Sequence, residues 1–325
     1  MHIRDFTPDS LPPAAKTVLD LDVAPMPDGQ PLRLNLLAAR GREAGPTVVV
    51  LAGVHGDEYE GMLVIPEVFA RLDPAQMRGT VLMVPVCNVP AYQGALRSSP
   101  IDGLNMARVF PGDSNGTITQ RIAYWLGERV LRHGDLLIDL HSAGLAYHIP
   151  PLVGYYHHEG DAGRRSQEVA LAFGAEVVWA HPDVAAGRTV SLATDLGIPW
   201  VYTEAPGGGR VRPEDFDLFT QGVLNSLKVM GVLDGAPETR PVRHYLRGAG
   251  DLDKSIAANA GGLFVSKVSL LDEVQAGDVL GEVRDPAGRT LEVVHAPSPG
   301  IVISMRGLVR VFPGDGLFAL TGRMQ

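Results

Sequence analysis

The sequence predicts an α/β unit, a sheet flanked by helices, followed by a small all-β sandwich. Three observations carry this reading. Short apolar runs rich in β-branched residues recur between residues 47 and 203, separated by stretches with helical spacing, which is the profile of strands buried on both faces. Polar side chains able to bind metal or move protons follow several of these runs directly. Further on, VQAGDVLGEV (274–283) aligns position for position with VFPGDGLFAL (311–320), so a duplicated strand–turn–strand unit stands apart from the α/β region.

In chain order, residues 1–14 read as an irregular arm. Segments 17–23 and 31–39 are strands joined by APMPDGQ, where Asp28-Gly29 is the turn signal. Residues 47–52 (TVVVLA) form a buried strand that Gly53 ends. His55 and Glu58 follow on a turn containing Gly56 and Asp57, and a helix begins at once with Met62, Leu63, Ile65, Val68 and Phe69 inward. Residues 79–86 form a second buried strand, which delivers Cys87, Asn88 and Pro90 to the same sheet edge. The segment 87–116, rich in proline and glycine, is a long loop of the kind that is functional or disordered, and it carries Arg97 and Arg108, which read either as site groups or as solvated surface charge.

Thr117 and Gln120 have capping-box spacing and open a helix to about Arg132, with Ile118, Ile122, Trp125, Leu126 and Val130 inward. Residues 135–140 are a third buried strand, with His141-Ser142-Ala143-Gly144 at its carboxyl end. A strand over 149–156, a helix over 163–173 and a strand over 175–179 follow. The strand 197–203 ends in Glu204 and the run APGGGR. Pro213, at a favoured first-turn position, starts a helix to about Met230. Residues 231–243 are a linker, which divides the chain into units 1–240 and 244–325.

Composition narrows the function. The chain has 325 residues, 45% hydrophobic, with a net charge of −9 and a pI near 5.6. That balance argues against nucleic acid or an anionic membrane surface as partner. Cys87 is the only cysteine, so no intramolecular disulfide forms and a reducing compartment is natural. The opening MHIRDFTPDSLPP lacks the apolar core of a signal peptide, and no run approaches the ~18 apolar residues that span a bilayer. The expectation is a cytoplasmic globular protein without nucleic-acid or membrane partners, with homo-oligomerisation left open.

His55/Glu58, His141 and Glu204 all stand at the carboxyl ends of expected strands, the edge where open α/β sheets bind ligands. Two histidines and a carboxylate are a three-ligand set for catalytic zinc that leaves one position open, and zinc brings the pKa of a water molecule to about 7. A carboxylate beside the ion can take that proton and pass it to a leaving amine; Glu204, followed by glycines that let backbone approach a substrate, suits this work. Arg97 or Arg108 can stabilise a tetrahedral oxyanion. Asp57 and Asp139 are candidates to orient the ligand imidazoles. His157 and His158 adjoin Glu159 in a polar turn and read as solvated, His133, His181, His244 and His295 lack partners at ligand spacing, and Cys87 reads as packing.

At these residues the sequence resembles the succinylglutamate desuccinylase/aspartoacylase family of the zinc carboxypeptidase-like superfamily. The matching pieces are GVHGDEYEG (53–61), CNVPAYQGALRSSPIDG (87–103), ARVFPG (107–112), DLHSAG (139–144) and EAPGGGR (204–210), in the family's order. The resemblance implies a zinc carboxypeptidase-like mixed sheet flanked by helices, with one Zn2+ held by His55, Glu58 and His141. It makes Glu204 the general base, gives Arg97 the scissile carbonyl and gives Arg108 a substrate carboxylate. The glycine-rich run after Glu204 is most similar to the branch that deacetylates N-acetyl-diaminobutyrate. Where the family places Asn before the carboxylate-binding Arg, this chain has Ala107, and Asn105 stands near enough to take over substrate binding. The β-unit resembles a biotinyl/lipoyl-like sandwich, but its candidate tip, 285–289 (DPAGR), has no lysine to modify and reads as a lid or interface.

The expected function is therefore zinc-dependent hydrolysis of the amide of a small N-acyl amino acid. A carboxypeptidase or esterase with the same site, or a metal-binding scaffold without turnover, are the rivals.

Overall fold

The computed structural model describes residues 1–26, 29–250 and 255–324; the expected turn residue Asp28 lies outside them. Its backbone is a long mixed sheet with helices on both faces. An antiparallel pair, β1 (Ala15–Pro25) and β2 (Pro31–Arg40), forms one end. Next come β4 (Arg78–Val84), β3 (Glu43–Ala52), β5 (Leu136–Ser142) and β9 (Trp200–Ala205), in that spatial order and mutually parallel. The strand β7 (Leu152–Tyr156) is antiparallel to β9, and β8 (Val177–His181) is parallel to β7.

Alternation within the strands divides the core. Val49 and Leu51 of β3 point to one face, against α3 (Ile118–Arg129) and α5 (Thr189–Asp195). Val48, Val50 and Ala52 point to the other, against α1 (Glu60–Arg71), α4 (Asp161–Phe173) and α6 (Pro213–Val229). The expected capping box forms at Thr117 and Gln120. The helix it opens stops at Arg129, and a single 3-10 turn over Leu131–His133 follows.

Three expectations change. Leu63 is half exposed, and α1 buries Gly61 and Val64 beside the expected Met62, Ile65 and Val68. The reason is Gly61: a Cβ there would lie 2.7 Å from Leu140 Cβ and 2.8 Å from Ala52 Cβ, so α1 rests its first turn directly on β3 and β5. The N-terminal arm is not loose, because Ile3, Phe6 and Leu11 are buried in the α3-side core. The long loop holds a short helix, α2 (Val89–Gly94), which Asn88 caps through the Ala91 amide.

The C-terminal segment extends the central sheet before it forms its own. The strand β10 (His244–Arg247) pairs in parallel with β8, and β18 (Gly316–Arg323) pairs with β10. Beyond β18 lie β16 (Gly300–Arg306) and β13 (Glu273–Val274), while β11 (Ile256–Ala257) pairs β18 and β6 (Tyr147–His148) pairs β16. A separate antiparallel sheet holds β15 (Thr290–His295), β14 (Val279–Arg284), β12 (Gly262–Ser266) and β17 (Arg310–Val311). Phe264, Leu280, Val283, Val302, Leu317 and Phe318 share one apolar cluster between the two. The sequence repeat explains this arrangement: β13 leads into β14 and β17 into β18, each copy starting in one sheet and crossing to the other. No helix among the described residues is long and apolar enough to cross a membrane.

Candidate active site

Because β3, β5 and β9 are adjacent and parallel, their carboxyl ends meet. Ala52 pairs with Leu140, and His141 pairs with Glu204, so the residues that follow β3 face those that end β5 and β9. The turn after β3 is held tightly. A Cβ on Gly56 would fall 2.0 Å from the Ala91 carbonyl carbon, so only glycine lets the turn lie against α2.

His55, Glu58 and His141 converge there, with one ligand atom from each lying within 4.8 Å of the others. The Glu58 carboxylate lies between the imidazoles, 2.7 Å from His55 Nδ1 and 2.8 Å from His141 Nδ1. Each ring is held from behind through its other nitrogen. His55 Nε2 is 3.1 Å from Asn105 Oδ1, and His141 Nε2 is 3.0 Å from Asp139 Oδ2. Both oxygens behind the rings accept from Nε2, so that once Nδ1 gives up the proton it donates to Glu58, its lone pair would face the common point. The Thr189 hydroxyl also donates to Asp139 Oδ2.

The electrostatics match this packing. Burial alone would raise Glu58, but His55 and His141 carry it well below the ordinary carboxylate value. Burial lowers His55, with Glu58 opposing. His141 is buried too, yet the charges of Asp139 and Glu58 hold it well above its ordinary value. Glu204 behaves in the opposite way to Glu58. Burial, then the negative charge of Glu58, push it from 4.5 up to about 8, and its Oε2 has no hydrogen-bond partner among the described residues.

A cavity opens over this group, lined by His55, His141 and Glu204 and by both loop arginines. Arg97 donates to Glu58 Oε1 at 3.1 Å, and Arg108 Nη1 donates to the Ala107 carbonyl at 2.8 Å. Asn105 does not line the cavity. Its Oδ1 also accepts from the Ala107 amide at 2.9 Å and stands behind His55. Asp57 does not orient an imidazole; its Oδ2 accepts from the Leu145 amide at 3.1 Å and fixes the loop after His141. Cys87 is fully buried, as packing requires.

Sequence reasoning missed His181 and Tyr202, which line the far wall. Each carried a signal. Tyr202 stands two residues before Glu204 on β9 and so shares its face. His181 is the last residue of β8, which runs two residues past the expected end of that strand. Glu60, also passed over, is buried beside Ser142 and the Gly207 amide, and burial raises its carboxyl.

The succinylglutamate desuccinylase/aspartoacylase catalytic-domain family model matches residues 44–230. N-alpha-acetyl-L-2,4-diaminobutyric acid deacetylase from Halomonas elongata is 31% identical over 278 residues, covering 84% of this chain and 81% of that protein. The crystal structure of succinylglutamate desuccinylase/aspartoacylase from Rhodobacter sphaeroides superposes with a TM-score of 0.86 at 30% identity, covering 95% of each chain. The product-bound structure of the ectoine utilization protein EutE (DoeB) from Ruegeria pomeroyi gives a TM-score of 0.86 at 27% identity, covering 94% of each.

Proposed function

The chain belongs to the succinylglutamate desuccinylase/aspartoacylase family of amide-cleaving enzymes, and from that premise we propose that it is a zinc-dependent deacylase of small N-acyl amino acids. One observation carries the reading: two imidazole Nδ1 atoms, each held from behind by an oxygen acceptor, and one carboxylate converge within 4.8 Å beside a second, protonatable carboxylate. The donor set of His55, Glu58 and His141 fits zinc, because neutral imidazole and carboxylate are its common ligands and three protein donors leave a position open. Zinc bound there supplies Lewis-acid polarisation and makes a water molecule acidic near neutral pH.

The chain's own groups do the rest. Asn105 and Asp139 keep His55 and His141 in the tautomer that can ligate. Glu204 takes a proton from water and delivers it to the departing amine, a task suited to a carboxyl whose burial moves its pKa toward neutrality. Arg97 lies beside Glu58 and can swing to the scissile carbonyl oxygen, where negative charge develops. Arg108, on the cavity wall, takes the α-carboxylate. The same reading assigns hydrolysis to residues 1–240. Residues 244–325 serve as a lid or interface, since β16 pairs with Tyr147–His148, the strand that follows the His141 loop.

The test is release of carboxylic acid from a panel of N-acetyl and N-succinyl amino acids by protein stripped with a chelator and by the same protein given one equivalent of zinc. Zinc-dependent release from at least one amino-acid amide is expected. Cleavage of peptides with no turnover of any N-acyl amino acid would replace this reading with carboxypeptidase.

A further inference from the structure

Among the described residues, none of the glycine-rich run 206–210 lines the cavity. The run lies instead against the loop that follows His141. The Gly208 amide donates to the Gly144 carbonyl at 2.7 Å, and the Ala143 amide donates to the Ala205 carbonyl at 3.0 Å. The approach is close enough to require glycine on both sides. Gly207 has φ +73°, and a Cβ on it would fall 2.6 Å from the Gly144 carbonyl oxygen. Gly144 has φ +58°, and a Cβ on it would fall 2.6 Å from Asp57 Oδ2. The turns after β3, β5 and β9 are thus stacked on one another at the edge that carries His55, Glu58, His141 and Glu204.

Asp57 and Glu60, on either side of Glu58, grip this stack. Asp57 Oδ2 accepts from the Leu145 amide at 3.1 Å. Glu60 opens α1 and is 3% exposed. Its carboxyl accepts from the Ser142 hydroxyl and from the Gly207 amide, so one side chain joins the loop of His141 to the run after Glu204. The Ser142 amide in turn donates to Glu58 Oε2 at 3.1 Å. A buried carboxyl is costly unless it is hydrogen-bonded, and the proposed hydrolysis gives Glu60 no chemical step. Glu60 does not line the cavity either, so its effect on the site passes through Ser142 and Gly207. Glu204 is the next-to-last residue of β9, and strand ends open readily unless the chain beyond them is tied.

We propose that Glu60 is a positioning residue for the general base: by joining Ser142 to Gly207 it fixes the end of β9, and with it the Glu204 carboxyl, beside His55, Glu58 and His141. This rests on the deacylase reading for the task of Glu204, whereas the brace itself is measurable without turnover. The demand for such a brace is chemical. A reacting group displaced by about 1 Å costs about 10²-fold in rate, and Glu204 stands one residue from the end of its strand.

The experiment joins amide hydrogen exchange, followed by NMR on the full chain, to kinetics of the zinc-loaded protein on N-acetyl amino acids. In the wild type the Gly207 amide should be protected although the glycines after it are exposed. Glu60→Ala should speed its exchange by about 10- to 100-fold, the worth of one hydrogen bond to a charged group. The same variant should still bind one zinc and should lose about 10- to 100-fold in kcat, with KM changed by no more than about twofold. Glu60→Gln keeps an acceptor for the Gly207 amide and should restore both protection and kcat, which a loss of folded protein would not explain. Ser142→Ala removes the other half of the bridge and should lower kcat without releasing zinc, so it serves if Glu60→Ala does not fold. An unprotected Gly207 amide in the wild type, a wild-type kcat in Glu60→Ala or Ser142→Ala, or a Glu60→Gln as slow as the alanine variant would each overturn the positioning role while leaving deacylation standing. A wild type that cleaves no N-acyl amino acid would count against deacylation, and Gly207 exchange would then decide the brace by itself.

Discussion

Glu204→Gln tests the proton-holding carboxyl through stability, apart from any turnover. In the metal-free fold the Glu204 carboxyl titrates at about 8 against an ordinary 4.5. A carboxyl raised in this way binds its proton more tightly folded than unfolded, so its contribution to stability is complete below pH 4.5 and is lost as the pH climbs through 8. At about 1.4 kcal/mol per pH unit, the full span is worth at most about 5 kcal/mol. Glutamine keeps the shape and has no such titration. Urea unfolding of chelated wild type and Glu204→Gln should therefore agree near pH 4.5, and the variant should gain a steadily larger advantage up to about pH 8 and a constant one above it. A difference that does not change with pH would refute the claim that burial keeps this carboxyl protonated. In zinc-loaded protein the same variant should retain the metal and lose about 10²–10⁴ in rate, the usual size of a general-base contribution.

Other expectations concern groups around the ligands. Asp139→Asn and Asn105→Ala, assayed by competition with a chromophoric chelator, should each weaken zinc binding by about 10- to 100-fold, since each removes the acceptor behind a ligand imidazole. Arg97→Ala should lower kcat more than it raises KM, because the charge it meets appears only in the transition state. Arg108→Ala should chiefly raise KM for substrates with a free α-carboxylate and matter much less for their amidated forms; equal losses on both would deny it that carboxylate. Gly56→Ala should destabilise the fold by more than 2 kcal/mol, on the order of severe overpacking, because its Cβ would meet the α2 backbone at 2.0 Å; thermal unfolding measures this.

The strand ends of the site were legible because each follows a buried apolar run, and three adjacent parallel strands must bring such ends together. His55, Glu58, His141 and Glu204 are therefore the residues that pattern reasoning finds. What it missed depends on contacts distant in the chain. Leu63 fits a helical stripe as well as Val64 does, and only the seat of Gly61 on Ala52 and Leu140 sets the rotation of α1. Asn105 looked like a substrate ligand by its nearness to Arg108, but its distance from His55 cannot be read across 50 residues. His181 had no partner at ligand spacing because its partners are Tyr202 on β9 and Gly248 just after β10. The sandwich repeat was visible, whereas the pairing of β10 with β8 that extends the central sheet was not, since no local pattern encodes which edge a late strand will join.

The most direct measurement is a calorimetric titration of zinc into metal-free wild type, His55→Ala and His141→Ala. The wild type should bind one zinc per chain, with a proton release that grows as the pH falls through the raised value of His141, above the ordinary imidazole range. Both variants should lose that tight step. Tight binding of one zinc that persists in both variants would contradict the assignment of the metal to His55, Glu58 and His141.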